Sequence, residues 1–443
     1  MILWFGICQG AFAAQPNVRL EMEQETRQEV AIAVPEFVLK KNTQDKRGLH
    51  REARKILGND LRLSELFTLV SPMVYEELER MERGQEKVDY WSWKQIGAQW
   101  LVKTEFTVSP KGDTFQIIFR LYDAVNERFL FGKRYTAGKN HLRRVVHRFA
   151  DEVVLQLTGK RGVAETKIVF LVQEKDRNDP EKINKEIYIV DFDGWSQKKM
   201  TDDRTINLTP AWSPDGRWIV YTSYGANNPD LLMIDTAGKG FKKTVLRLPG
   251  LNAAPSWSPG GNKIALVLSK DQNSEIYVLE NNRKLNRLTR HFNIDTSPTW
   301  SPDGEKIAFT SDRSGTGAPQ IYIMDSRKGD GAGVKRISFG SSYNDNPAWS
   351  PDGDKIAYTS RVGRRFQIKI YNRNTQKTTT FTNDQGTNEQ PSWSPDGRFL
   401  AYRHRENGET QIYIKRVGGK QARQLSFSGG GGTSPFWSPF FKK

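Results

Sequence analysis

Cysteine is nearly absent from this chain: its 443 residues include one, Cys8, which sits inside the short apolar run MILWFGICQGAFAAQ. That excludes a disulfide framework and a cysteine-built metal centre. Histidine is scarce as well. The five present (His50, His141, His147, His291 and His404) are scattered, and no pair has the spacing of a helical zinc site, so all five are expected to be structural surface residues. No G-x-S-x-G nucleophile elbow occurs anywhere in the sequence. The region before the repeats has no phosphate-cradling glycine loop, and no stretch approaches the ~18 apolar residues of a helical membrane span. These absences argue against catalysis, and neither a metal nor a cofactor is expected.

The leading apolar run is followed by A-F-A, the small-x-small pattern that a signal peptidase accepts, so residues 1–14 are expected to be a leader. Its removal leaves a mature chain without cysteine, soluble in an extracytoplasmic compartment. Net charge is +16 and invites a nucleic-acid reading, but the excess is spread along the chain. Residues 1–164 carry 26 Lys and Arg against 21 Asp and Glu, and residues 165–443 carry 41 against 30. Short basic clusters such as LRRVVHR and RVGRR lack the interleaved aromatics of a nucleic-acid groove and read as solvated faces. No nucleic-acid partner is expected.

What the sequence does have is a repeat. P-x-W-S-P occurs at Trp212, Trp257, Trp300, Trp349, Trp393 and Trp437, at spacings of 45, 43, 49, 44 and 44 residues. Periods of roughly 40 to 50 residues mark stacked supersecondary units. After each copy but the last come two short runs rich in β-formers, such as KIAFTS and QIYIMD, and then a third piece such as VKRISF. Each unit therefore reads as four antiparallel strands, A to D, with P-x-W-S as A. In S-P-D-G the proline presets the turn and the glycine supplies the left-handed residue that reverses the chain. Asp215, Asp303, Asp352 and Asp396 are turn residues on this reading and metal ligands on the alternative.

Counting strands predicts closure. KIVFLV at Lys167 has no A strand before it, and PFWSP at Trp437 has no B strand after it, so the two belong to one blade completed from both ends. The expected architecture is an all-β six-bladed propeller over residues 166–443, preceded by a small α/β domain over 15–162. In that first domain EVAIAVPEF reads as a strand and RGLHREARKILGNDLRLS as a helix. Three further strands precede a last amphipathic helix stopped at Gly159.

Three residues before each repeat proline stand Asn207, Asn252, Asp295, Asn344, Asn388 and Gly432. They are expected in loops that converge on one mouth of the propeller channel. With their small and polar neighbours they make a candidate partner-binding set: Asn207, Leu208, Asn252, Ala254, Thr296, Ser297, Asn344, Asp345, Asn388, Glu389 and Thr433. Plain turn geometry is the competing explanation.

The ordered set of a leader, a small α/β domain carrying AVPEF, LQLTGKRGVAETKIVFLVQ at the junction, the six blades and a terminal FWSP resembles the TolB family, periplasmic components of the Tol-Pal system of Gram-negative bacteria. The blade motif by itself is shared with other propellers. The resemblance covers essentially the whole chain, with a departure in the first blade, which carries the insertion EKDRNDPEKINKE. It implies a monomeric, non-enzymatic adaptor in the periplasm. Its mouth would bind the lipoprotein Pal, and its mature amino-terminal segment, including Gln15, Val18 and Leu20, would reach TolA. Other outer-membrane or peptidoglycan-associated proteins are further implied partners, and the implied role is in outer-membrane integrity and constriction during division. The alternative from another class is a secreted propeller enzyme acting on peptides or sugars.

Overall fold

The computed structural model describes residues 29–441, apart from 42, 83–86, 177–178, 180, 227, 238–239, 316 and 427–429. The expected leader and the segment holding Gln15, Val18 and Leu20 lie outside the described residues. None of the described helices is long and apolar enough to cross a membrane.

The first domain is one mixed sheet with two helices on it. Its strands are β1 (Val30–Ala33), β2 (Val38–Leu39), β3 (Phe67–Leu69), β4 (Trp100–Val108), β5 (Thr114–Asp123) and β6 (Arg128–Gly138), in the order β3-β1-β4-β5-β6 with β2 also on β4. Pro35 cuts the run EVAIAVPEF short: only Val30–Ala33 of it is strand, and β2 begins just beyond the run. Helix α1 (Leu49–Leu63) buries Leu49, Ala53, Ile56, Leu57 and Leu61, the positions that its helical spacing selects. Two helices were not anticipated, α2 (Pro72–Glu82) and α3 (Tyr90–Gln95). Proline is compatible with the first helical position of α2, and Asp89 caps α3 by accepting the Ser92 N–H at 3.2 Å. Helix α4 (Leu142–Thr158) packs beside α1 over the same core, with Phe149 stacked on Phe119 at 4.1 Å, and ends at Gly159 with φ 70°.

Six four-stranded antiparallel sheets follow, arranged as propeller blades. Blade 1 is assembled from both ends of the domain. The strand Gly432–Trp437 pairs with β7 (Lys167–Lys175), which continues into β8 (Ile183–Asp191) and β9 (Lys198–Lys199). The insertion in this blade is partly strand, because β7 and β8 each run nine residues where the B strands of blades 2 to 4 run six. Blades 2 to 6 begin at the inner strands Asn207–Trp212, Asn252–Trp257, Asp295–Trp300, Asn344–Trp349 and Thr387–Trp393.

The S-P-D-G turns use their aspartates internally. The Ser213 hydroxyl donates to Asp215 Oδ1 at 2.6 Å, the Arg217 N–H donates to the same oxygen at 3.0 Å, and Trp218 N–H returns to Ser213 Oγ at 2.9 Å. The pattern recurs at Asp303, Asp352 and Asp396. In the S-P-G-G copy, which lacks the aspartate, Asn262 Oδ1 takes the hydroxyl of Ser258.

Closure places Trp437 among Phe170, Phe192 and Phe399, 3% exposed, with its indole N–H on Thr166 Oγ1 at 2.9 Å. Its replacement by alanine removes both packing and the seam between the two ends. Trp437→Ala should lower unfolding free energy by about 3–5 kcal/mol, read by denaturant melts, while the same change at exposed Trp195 should cost under about 0.5 kcal/mol.

Candidate functional site

Antiparallel blades sort their connections onto two faces. The S-P-D-G turns and the C–D turns emerge on one, and the B–C turns and D–A links on the other. The first domain docks on the S-P-D-G face. Arg143 of α4 pairs with Asp193 in the turn after β8, Arg416 donates to the Glu65 carbonyl, and Arg161 donates to the Phe441 carbonyl at 3.3 Å. Between the domains, Glu165 accepts from Arg148 at 2.6 Å, Arg161 at 2.6 Å and Arg144 at 3.1 Å. These three guanidiniums outweigh the burial that would raise the Glu165 carboxyl and hold it below its ordinary range. The opposite face is the open mouth.

The mouth is built differently from the loop funnel expected. Asn207, Asn252, Asp295, Asn344 and Gly432 are not loop residues but the first residues of inner strands, and Asn388 is the second residue of its strand; none is on the channel. All five side chains are fully buried and locked. Asn207 Nδ2 donates to the Lys185 carbonyl at 3.0 Å, Asn252 Nδ2 to the Leu248 carbonyl at 2.7 Å, Asn344 Nδ2 to Gln320 Oε1 at 2.8 Å and Asn388 Nδ2 to Gln367 Oε1 at 2.9 Å. Asp295 pairs with Arg313 at 2.7 Å, and at Gly432 a Cβ would lie 2.8 Å from Ile412 Cγ1.

These residues belong to a repeated cross-link that sequence reading missed. A residue near the start of strand C (Glu186, Glu275, Gln320, Gln411) takes the hydroxyl of a residue just after strand D (Thr201, Thr289, Ser338, Ser426) at 2.5 to 2.8 Å. The same hydroxyls accept the next N–H of strand C, from Ile187, Ile276, Ile321 and Ile412. Its trace in the sequence is the recurrent Thr or Ser in KMT, RLT, RIS and QLS. Buried polar groups joined this way hold these four blades to the next inner strand, although Asn207 Oδ1, Asp295 Oδ1 and Asn344 Oδ1 are left without a hydrogen-bond partner.

The channel is lined two residues further on. Each inner strand bulges, with register shifts between Leu208 and Ala211, Ala253 and Ser256, Thr296 and Thr299, Asp345 and Ala348, Glu389 and Ser392, and Thr433 and Phe436. The residue before each proline takes a left-handed φ: 46° at Thr209, 49° at Ala254, 51° at Ser297, 53° at Asn346, 58° at Gln390 and 51° at Ser434. Such φ values disfavour side chains by roughly 1–2 kcal/mol each, so the ring of strain requires the surrounding sheets to impose it. With the prolines behind them these residues surround a cavity of about 240 Å³.

Of the expected set, Ala254 and Ser297 line the channel. Asp345 joins them by accepting from Ser297 Oγ at 3.2 Å and Thr310 Oγ1 at 2.8 Å, and Glu389 pairs with Arg403 at 3.0 Å. Leu208 packs towards the blade core, while Thr296 and Thr433 are half-buried opposite Thr310 and Leu171. Around the rim of this face stand exposed apolar side chains that sequence reading passed over: Ile206, Tyr224, Phe292 (85% exposed), Ile294, Phe339 (65%) and Val362. Their signal was large apolar residues in otherwise polar D–A links and B–C turns. Several large apolar side chains exposed on one face make it a candidate interaction surface.

Profile comparison matches the TolB beta propeller domain over residues 154–441 and the TolB amino-terminal domain over residues 18–130. The chain belongs to the TolB family. The Tol-Pal system protein TolB of Desulfosudis oleivorans is 38% identical over 266 residues, 59% of this chain and 58% of that protein. That of Geobacter sulfurreducens is 39% identical over 173 residues, 39% of this chain and 38% of that one. Both alignments thus span less than two thirds of the relatives. The crystal structure of TolB from Acinetobacter baumannii aligns with TM-score 0.78 at 27% identity, covering 95% of this chain and 99% of that one.

Within this TolB-family architecture the domain junction holds a buried charge cluster. His147, expected at the surface, is 3% exposed: its Nδ1 lies 2.7 Å from Asp60 Oδ2. Asp60 of α1, His147 of α4 and Asp193 of the propeller come within 4.8 Å of one another. The Arg143 guanidinium already pairs with Asp193, supplying the positive charge that a metal would otherwise bring, so the group reads as an interdomain clasp. Burial pulls the His147 pKa down, but the Asp60 carboxylate outweighs it and the net shift is upward from 6.5. Burial also raises Asp60, and it lifts Asp151 to about 7. A raised histidine stabilises the fold fully below its unfolded pKa and loses that contribution as pH rises through the folded value. Raised carboxyls act in the same direction. Melting temperature should therefore fall as pH rises from about 4 through 7, where Asp151 loses its proton, and go on falling above 6.5 as His147 loses its own. His147→Gln should cost about 3 kcal/mol at the low end and flatten that fall; differential scanning calorimetry across the range checks it, and an unchanged slope would refute the clasp.

Proposed function

We propose that this chain is a non-enzymatic periplasmic adaptor of the Tol-Pal system. It binds Pal at the propeller mouth and TolA through the segment that includes Gln15, Val18 and Leu20, and so supports outer-membrane integrity and constriction during division. The observation that carries the reading is the pairing of TolB family membership with an open mouth face: a strained, hydrogen-bonded channel ring at its centre and exposed Tyr224, Phe292 and Phe339 at its rim. A rigid platform with apolar anchors around a polar centre fits protein recognition, because little ordering entropy is lost on binding. The leader over residues 1–14 and the domain limits of 15–162 and 166–443 are part of the same proposal.

Two experiments test it. Ala254→Arg places bulk and charge in the channel ring and should weaken calorimetric binding of a Pal periplasmic domain by at least about 2 kcal/mol, as central interface positions do. Folding should survive, since Ala254 already holds the left-handed φ of 49° that a second non-glycine residue must share. Lys328→Glu, on an exposed C–D turn of the opposite face, should change binding by no more than about 0.5 kcal/mol. Equal affinity of wild type and Ala254→Arg would remove the mouth from the proposal. Deleting residues 15–27 should abolish TolA capture and leave Pal affinity within about twofold; loss of Pal binding would move that segment to the mouth.

A further inference from the structure

The mouth is not symmetric. Its exposed aromatics, Tyr224, Phe292 and Phe339, stand on connections of blades 2 to 4, whereas blades 5 and 6 enclose a cleft of about 580 Å³ lined by Arg364, Arg365, Arg403 and Arg405. The cluster RVGRR, read from sequence as solvated, meets the strand run YRHRE here. In the other blades the residue equivalent to Arg403 is Leu171, Thr222, Val267, Thr310 or Thr359, buried side chains. Blade 6 alone puts a guanidinium at this position.

Arg403 and Arg405 alternate on one face of the strand Phe399–Glu406, opposite Glu389 and Thr387 of the neighbouring strand. Arg364 and Arg365 form the tip of the adjoining hairpin, steadied by Phe366 against Tyr343 at 5.2 Å and by Arg365 donating to Gln385 at 2.8 Å. The acidic residues of the cleft are engaged, Glu389 with Arg403 at 3.0 Å and Glu406 with His404 at 3.5 Å. Among the described residues, neither Arg364 nor Arg405 is in an ion pair, and the buried Arg403 Nε has no hydrogen-bond partner. Four guanidiniums against two carboxylates leave a donor-rich pocket with positive charge unspent.

We propose that this cleft binds carboxylates of an extended, acidic segment of the protein partner and thereby sets the partner's orientation on the mouth. The inference rests on the reading that the mouth takes a protein. Guanidiniums two residues apart on a strand stand roughly 7 Å from each other, the repeat at which an extended peptide presents alternate side chains, and each matches a carboxylate bidentately. The aromatic side of the rim then receives the apolar part of the same partner, so the partner can seat in one rotation only.

The test uses the full chain. Arg364→Glu/Arg405→Glu reverses the two exposed, unpaired charges and leaves Arg403 with Glu389. It should weaken calorimetric binding of a Pal periplasmic domain at least tenfold and make the dependence on salt shallower. Arg327→Glu/Lys328→Glu, an equal charge change on the S-P-D-G face, should stay within twofold. A double cleft variant that also stays within twofold overturns the proposal and leaves the mouth reading intact. If wild type does not bind Pal at all, the mouth reading fails instead, and the cleft is judged with a hexaglutamate peptide. Tenfold loss in the cleft variant but not in the control upholds carboxylate binding, and equal affinities overturn it.

Discussion

A blade has two edges, and the inner edge of blades 2 to 6 is a strand whose sequence precedes the rest of the sheet. An array laid down in this order would begin with a sheet lacking its inner strand and finish on a strand lacking its sheet. Pairing Gly432–Trp437 with β7 satisfies both at once, and every other contact in the ring presupposes it. The seam is also the junction with the first domain. Trp437 bonds Thr166, Arg161 reaches the Phe441 carbonyl, and Glu165 gathers three arginines within a few residues of β7. Closure and domain docking are therefore one structural event.

The closed ring imposes the geometry of the channel. Six inner strands brought to one axis cannot all run straight past their prolines, so each bulges and turns one residue inward with a left-handed φ. Glycine would adopt that conformation without strain, yet the six positions hold Thr, Ala, Ser, Asn, Gln and Ser. Two of their side chains bond across blade boundaries: Gln390 Oε1 accepts from Ser434 N–H at 2.8 Å, and Ser297 Oγ donates to Asp345 Oδ1 at 3.2 Å. Glycine at Gln390 or Ser297 would lose these bonds, which offset part of the strain there. Behind it, the strand-opening asparagines and the Thr or Ser hydroxyls keep the blades in register.

The two faces of the propeller have consequently diverged. The S-P-D-G face is self-satisfied, its aspartates spent on turns and its surface partly covered by the first domain through Arg143, Asp193 and the buried His147–Asp60 pair. The mouth face keeps its turns variable, with aromatics on one side and guanidiniums on the other. Loops carried on a rigid scaffold are where recognition chemistry concentrates.

Residue spacing by itself determined the architecture. The six P-x-W-S-P copies, the alternating strands and the orphan strands at the two ends specify a closed six-bladed ring, because backbone pairing leaves one way to complete the first blade. Helical spacing likewise selected the buried face of α1. Neighbours brought together across the fold decided the rest. The asparagines before each proline looked like turn formers at a mouth, and only the packed blades reveal them as buried locks whose partners lie some 20 residues away. His147 looked like a surface histidine because its partner, Asp60, is 87 residues distant. RVGRR is exposed, as expected, but only the fold sets its arginines across a cleft from Arg403 and Arg405 of another blade. Local sequence records hydrophobic period and turn chemistry; whether a polar side chain is locked, strained or open depends on what the closed ring sets opposite it.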